Sequence, residues 1–262
     1  MEGSIRQAEN KLRVAVQLVD GATGAHLWAE TFERPFRSDE IFALQDELVP
    51  RVVSTVADQH GILPRCICAA IRKKSDEQLS PYEAVFRVFG LHEKMTAQEH
   101  AACRDLLERV VRDAPEAADC WAMLATLYSD EDWFGFNLRP DPLGRAAAAA
   151  QRAVELAPAS VLAFQALAQS LFMRHEWQAF RPMAERTIAL NPMDGATVAL
   201  MGILLACSGH WERGCAVADS AMKPHPNFPG WYWLAEVFNA YRTRDYRAAI
   251  DAAIHIQMPG YF

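Results

Sequence analysis

The sequence predicts a mainly α protein: a solenoid of stacked helix pairs preceded by a small, incomplete ββα (α/β) unit. Three observations carry this. From residue 81 onward the pattern is helical and punctuated by proline at 81, 115, 158, 192, 226 and 259, at intervals of 34, 43, 34, 34 and 33 residues. Each interval holds two helical runs, and most close on a second helix running into the proline, as in 107–115 (LERVVRDAP), 151–158 (QRAVELAP) and 185–192 (ERTIALNP). The first sixty residues instead alternate with the period of a half-buried strand.

Residues 11–20 (KLRVAVQLVD) set Leu12, Val14, Val16 and Leu18 on one face and Arg13, Ala15 and Gln17 on the other. The turn residues 20–24 (DGATG) and the extended run 26–32 (HLWAETF) complete a β-hairpin. Residues 3–6 offer a third strand, turning through Glu9 and Asn10. Ser38, Asp39 and Glu40 then supply an N-cap and an acidic first turn. The helix that follows carries Ile41, Phe42, Leu44, Leu48, Val52 and Val56 and is expected to end near Gly61, with a kink or break at Pro50. Such a unit encloses little core, so residues 1–61 read as the second half of an α/β domain whose first half is missing. Residues 62–80 read as a connector. Their run 71–77 (IRKKSDE) is taken as a solvated hinge rather than a nucleic-acid patch.

Within the repeats, a bulky residue stands six positions past each proline (Trp121, Phe164, Val198) and a leucine-like one nine past (Leu124, Leu167, Met201). The next position is small (Ala125, Ala168, Gly202), and second helices carry Ala146, Ala150, Ala153, Ala184, Gly214, Ala218 and Ala221, so that helices can approach closely. The repeat 81–115 keeps the length without the triplet, and its second helix opens on a capping box at Thr96 and Glu99. The last repeat fits its first helix through Trp231, Leu234, Ala235 and Phe238 but runs about two residues late in its second. The long interval places an insertion at 129–142 (SDEDWFGFNLRPDP), whose Trp133, Phe134 and Phe136 either close over the array or present a contact site.

These repeats resemble the tetratricopeptide (TPR) family, about five units over 81–262. The blocks 2–6 (EGSIR), 12–20 (LRVAVQLVD), 23–30 (TGAHLWAE) and 41–47 (IFALQDE) resemble the C-terminal half of a TolB-like α/β domain. That domain lies in bacterial proteins ahead of a TPR array and behind a signalling module. The module is often a class III adenylate/guanylate cyclase domain and sometimes a winged-helix DNA-binding domain. No cyclase motif is present, so no metal-binding aspartate or base-reading residue carries over.

Composition narrows the function further. The chain is 51% hydrophobic and 23% charged with a net charge of −7, a poor profile for coating a phosphate backbone, so no nucleic-acid partner is expected. The longest nearly apolar stretch, 196–207, is short of the roughly 20 residues of a membrane span, and the polar opening residues give no leader. Six cysteines at 66, 68, 103, 120, 207 and 215 include a single C-x-C pair, which lacks zinc-site spacing; the other four sit in helical patterns as core thiols, and a reducing cytoplasm fits. There is no P-loop, H-E-x-x-H or G-x-S-x-G; Gly21 and Gly24 read as turn residues. His92 with Glu93, and His100 with Cys103, come nearest to a constellation and lack a third partner. No catalytic residue, metal ligand or cofactor is therefore expected.

The TPR resemblance implies a binding face along the concave side of the first helices, lined by Ala122, Thr126, Gln165, Gln169, Ala199 and Ile203, with Phe172 and Met173 nearby. These lack the lysine and asparagine with which relatives clamp acidic C-terminal tails, so an apolar or amide-rich peptide is the expected ligand. The expectation is a non-catalytic interaction module of a bacterial signalling protein, able to self-associate through its open strand edge. The alternatives are the regulatory C-terminal fragment of a class III cyclase or of a winged-helix regulator.

Overall fold

The computed structural model describes residues 1–21, 23–35, 41–91, 96–224 and 228–256. Strands β1 (Glu2–Ala8), β2 (Lys11–Val19) and β3 (His26–Pro35) form one antiparallel meander in the order β1-β2-β3. The β1–β2 turn puts Glu9 at φ +51°, and a bulge at Leu18/Val19 loosens the end of the β2–β3 ladder. The register pairs Val14 with Ile5 on one side and with Phe32 on the other, so these three share a face.

Helix α1 (Ile41–Ala57) covers the β3 half of that face. Leu12, Phe32, Leu48 and Val56 are buried there, with the Arg51 guanidinium 5.1 Å over the Phe32 ring and bonded to Glu30 at 2.5 Å. Arg34 adds a bond to Glu47 at 2.6 Å. Ile5, on β1, stays exposed. The helix runs uninterrupted through Pro50, against the expected break: packing and these ion pairs outweigh one lost ladder hydrogen bond. The cap expected at Ser38–Glu40 lies outside the described residues. The helix ends at Ala57 rather than near Gly61, which instead opens the next helix.

Residues 62–80 leave Arg72, Lys73, Lys74, Ser75 and Glu77 of the charge run exposed, as expected of a solvated segment, yet carry regular structure. They hold helix α2 (Ile62–Ile71) and a 3-10 turn at Asp76–Gln78. Ile71 is buried, and Arg87 reaches back to bond the carbonyls of Ile71 and Lys74, each at 3.0 Å. Lys74–Glu83 and Arg109–Asp76 ion pairs fasten the segment further.

Five helix pairs follow: α3 (Pro81–Leu91) with α4 (Ala97–Asp113), α5 (Ala118–Phe134) with α6 (Pro142–Leu156), and α7 (Val161–Met173) with α8 (Trp177–Leu190). The last two are α9 (Gly195–Cys207) with α10 (Trp211–Met222), and α11 (Leu234–Arg242) with α12 (Tyr246–Ala253). Side-chain caps begin α4, α6, α7, α9 and α12 at Thr96, Asp141, Ser160, Asp194 and Asp245. The turns inside pairs use left-handed residues at Gly135, His175, Gly209 and Arg244, the last three at repeat spacing. One apolar core runs from Ile71 through Ala166 and a second from Ala168 through Tyr232.

The N-terminal unit reaches the far end of this stack. Ser54 on α1 donates to the Pro224 carbonyl at 3.1 Å. Asp58, just past α1 and buried, accepts from the Ala196 amide at 3.2 Å and so sits on the N-terminus of α9. His60 meets the Trp231 ring at 6.4 Å. The segment 54–60 thus ties the fourth and fifth pairs to α2, which packs on the first.

Candidate functional site

The first helices α5, α7 and α9 are neighbours, and side chains four residues apart form a stripe along each. The stripes run Ala122–Thr126–Asp130, Gln165–Gln169–Met173 and Ala199–Ile203–Cys207. Two hydrogen bonds set their register: Ser160 Oγ to Asp119 Oδ1 at 3.1 Å between α7 and α5, and Thr197 Oγ1 to Gln165 Oε1 at 2.7 Å between α9 and α7. Second helices come close through missing side chains. A Cβ on Gly202 would lie 2.7 Å from the Ala218 nitrogen, and one on Gly214 would lie 2.3 Å from the Ala206 nitrogen.

The helical region is a solenoid of five stacked helix pairs.

No family model matches the chain. It is 30% identical over 160 residues to "Putative adenylate cyclase 3" of Rhizobium meliloti (strain 1021), an alignment covering 59% of this chain and 26% of that protein. The chain therefore spans about a quarter of the length of this curated relative. Similar solved structures include MamA (17% identity, TM-score 0.44, 62% of this chain and 89% of that one). YrrB, a TPR protein described as having an unusual peptide-binding site, gives 14% identity and a TM-score of 0.42 over 75% and 95%. PilF of Pseudomonas aeruginosa gives 15% and 0.39 over 80% and 91%.

The eight residues expected to line the open face of the helical array are mostly taken up by packing. Ala122, Thr126, Phe172, Ala199 and Ile203 are buried, and Gln165, Gln169 and Met173 are half-buried. Phe172 sits edge-on to Trp177 and Phe180, at 5.3 and 5.4 Å, inside its own helix pair. Ile203 packs with Ala218 and Ala235, and Gln165 is held by Thr197. The reason is that α9 is apolar on every side, so both neighbouring pairs bury it. Cys207 at its end is exposed rather than a core thiol.

The insertion folds back over α4 and α5. Phe136 stacks on Phe134 at 5.3 Å and tilts against His100 at 5.8 Å. Asn137 donates to the Ala97 carbonyl at 2.6 Å, and Arg139 bonds Glu108 at 3.0 Å and Asp105 at 2.8 Å. Trp133 is the aromatic left in solvent, at 61% exposure. His100 is consumed by the same packing: its Nε2 lies 2.9 Å from the Leu127 carbonyl, and burial holds it below the usual histidine range. Burial pushes the Cys103 thiol up to about 12. Among the described residues no group of three or more His, Cys, Asp or Glu could hold a metal ion. His92 and Glu93 lie outside them.

Two acidic neighbours on α5 escaped the sequence reading. Glu131 is fully buried and accepts from Arg104 at 2.7 Å and Arg145 at 2.5 Å; burial raises its pKa, but these bonds outweigh that and leave it lowered. Asp130 is 6% exposed, makes no hydrogen bond or ion pair among the described residues, and is pushed up to about 7 by burial. Periodicity could have flagged it: Asp130 is the next member of the Ala122–Thr126 stripe. A cavity of about 410 Å³ also lies between α2, α3 and α4, lined by Arg65, Arg72, Asp76, Arg87 and Glu99. Its Arg87 is already committed to α2 and Asp76. Among the described residues no helix is long and apolar enough to cross a membrane.

Proposed function

We propose that this chain is a non-catalytic protein-interaction module of a bacterial signalling protein, binding a peptide or partner protein along the first helices of its array. The observation that supports it most is the five-pair stack itself. Its parallel first helices make a continuous surface, and solenoids of this kind use such surfaces for binding. The half-buried Gln169 and Met173 stand at the reachable centre of that surface.

The test is a selection of random peptides on the full chain, followed by binding measurements with Met173→Ala and Gln169→Ala. Both variants should weaken the selected peptides severalfold while the thermal midpoint changes little, since each removes half-buried side-chain surface that a ligand would cover. Unchanged affinity would move the binding face elsewhere. The same reading includes self-association through the open edge of β1, which a light-scattering mass of a single chain at high concentration would contradict.

A second reading is favoured by one observation, the 30% identity to a putative adenylate cyclase. In it, residues 1–61 are the C-terminal half of a TolB-like domain and the chain works as the regulatory C-terminal region of a class III cyclase. Both readings expect no turnover of ATP or GTP by this chain alone. Measurable cyclic nucleotide production would overturn the non-catalytic assignment.

A further inference from the structure

Along α5 the stripe Ala122–Thr126 reaches Asp130 one turn later. This carboxylate is more than nine-tenths buried, has no partner among the described residues, and holds Oδ2 away from solvent. The Ser160–Asp119 bond aligns α7 with α5, so eleven residues further on Asp130 stands level with Leu171, between Gln169 and Met173 of the neighbouring stripe. Two more polar atoms on that stretch of α7, Gln169 Oε1 and Ser170 Oγ, are also buried and unpartnered. Buried polar atoms nearly always have partners. Three without one, on adjacent helices and at one level, make a set that a ligand can complete.

The chemistry of the set names the ligand. A carboxylate only accepts, an amide oxygen only accepts, and a hydroxyl can do either. The missing partner is therefore a multiple hydrogen-bond donor, and a positive one. The arginines nearest in sequence and fold are engaged elsewhere: Arg104 and Arg145 on Glu131, Arg139 on Glu108 and Asp105. Trp133, three residues past Asp130 and largely exposed, offers an indole face that attracts cations. The net charge of −7 draws a basic partner from a distance.

We propose that Asp130, Ser170 and Gln169 form a subsite for an arginine or lysine side chain of the bound peptide, with Trp133 at its rim. This rests on the peptide-binding reading above and specifies its ligand as basic rather than apolar or amide-rich.

Random decapeptides displayed on phage and selected on the full chain should converge on sequences with a basic residue at one fixed position. For one such peptide, Asp130→Asn should lower affinity at least tenfold, the size expected for a charge-assisted hydrogen bond. Replacing the peptide's basic residue by glutamine should cost the native chain the same factor and cost Asp130→Asn almost nothing, because a shared contact is lost only once. Trp133→Ala, at an exposed position that folding does not need, should lower affinity severalfold. Selected peptides without a basic preference, or additive losses in the cycle, would overturn the subsite and leave the groove standing. Failure to select any peptide would overturn the groove and the subsite together.

Discussion

At Glu131 a fully buried carboxylate receives two guanidinium groups, one from α4 and one from α6, while the carboxylate beside it in the chain receives nothing among the described residues. The first case holds together because each charge has a partner; deleting one partner of such a network costs about 3–5 kcal/mol. The second case costs stability. Asp130 ionises near 4 in an unfolded chain and at about 7 in the folded one. Below both values the group is neutral in both states and contributes nothing. As pH rises between them the unfolded chain ionises first, so the folded state loses stability on the order of a few kcal/mol, and the loss is complete above pH 7. Asp130→Asn should therefore unfold at a higher temperature than the native chain at pH 8, with the advantage shrinking steadily toward pH 4.5. Thermal midpoints across that range decide it; a difference independent of pH would show that the carboxylate is not buried in ionisable form. Glu131 and Asp130 could be placed on α5 from the sequence. Which of them finds arginines depends on where α4 and α6 lie, and no local pattern states that.

The helix pairs themselves were legible because a 34-residue period, terminal prolines and a bulky–leucine–small triplet repeat the same packing decision several times. The small residues have a measurable task. Gly214 on α10 lies where an added methyl would sit 2.5 Å from the Gly202 carbonyl of α9, a backbone contact that no side chain can relieve. Gly214→Ala should lose about 1–3 kcal/mol despite alanine's better helix propensity, read as a lower denaturation midpoint; a gain would mean that α9 and α10 separate freely. Helix α2 was missed because Ile62–Ile71 is short and carries Pro64. Pro64 falls in the first turn, where its absent N–H has no intrahelical acceptor to lose. The last pair begins with a 3-10 turn at Gly230–Trp233.

Across the whole molecule, the contact of residues 54–60 with α9 and the fifth pair joins segments 138 and 170 residues apart. Asp58 is its centre: its carboxylate takes the Ala196 and His60 amides, and Gly195 leaves it room, since a Cβ there would stand 3.1 Å from Asp58 Oδ2. Asp58→Ala should cost about 1–2 kcal/mol, the worth of a cap on a helix N-terminus, and should raise amide hydrogen exchange at the start of α9 and along α1 together. Faster exchange confined to α1 would mean that the array does not depend on the N-terminal unit.

By itself the sequence determined the meander, the five helix pairs, the cap at Thr96 and the small positions at which helices cross. Each of these depends on residues near one another in the chain or on a pattern repeated along it. The tertiary structure alone decided that α2 packs on the first pair, that α1 reaches the far end of the array, and that Asp130 is buried without a partner among the described residues. Those outcomes depend on which surfaces meet between separate elements, in the case of α1 across more than a hundred residues, and burial and pairing are properties of the meeting, absent from either segment alone.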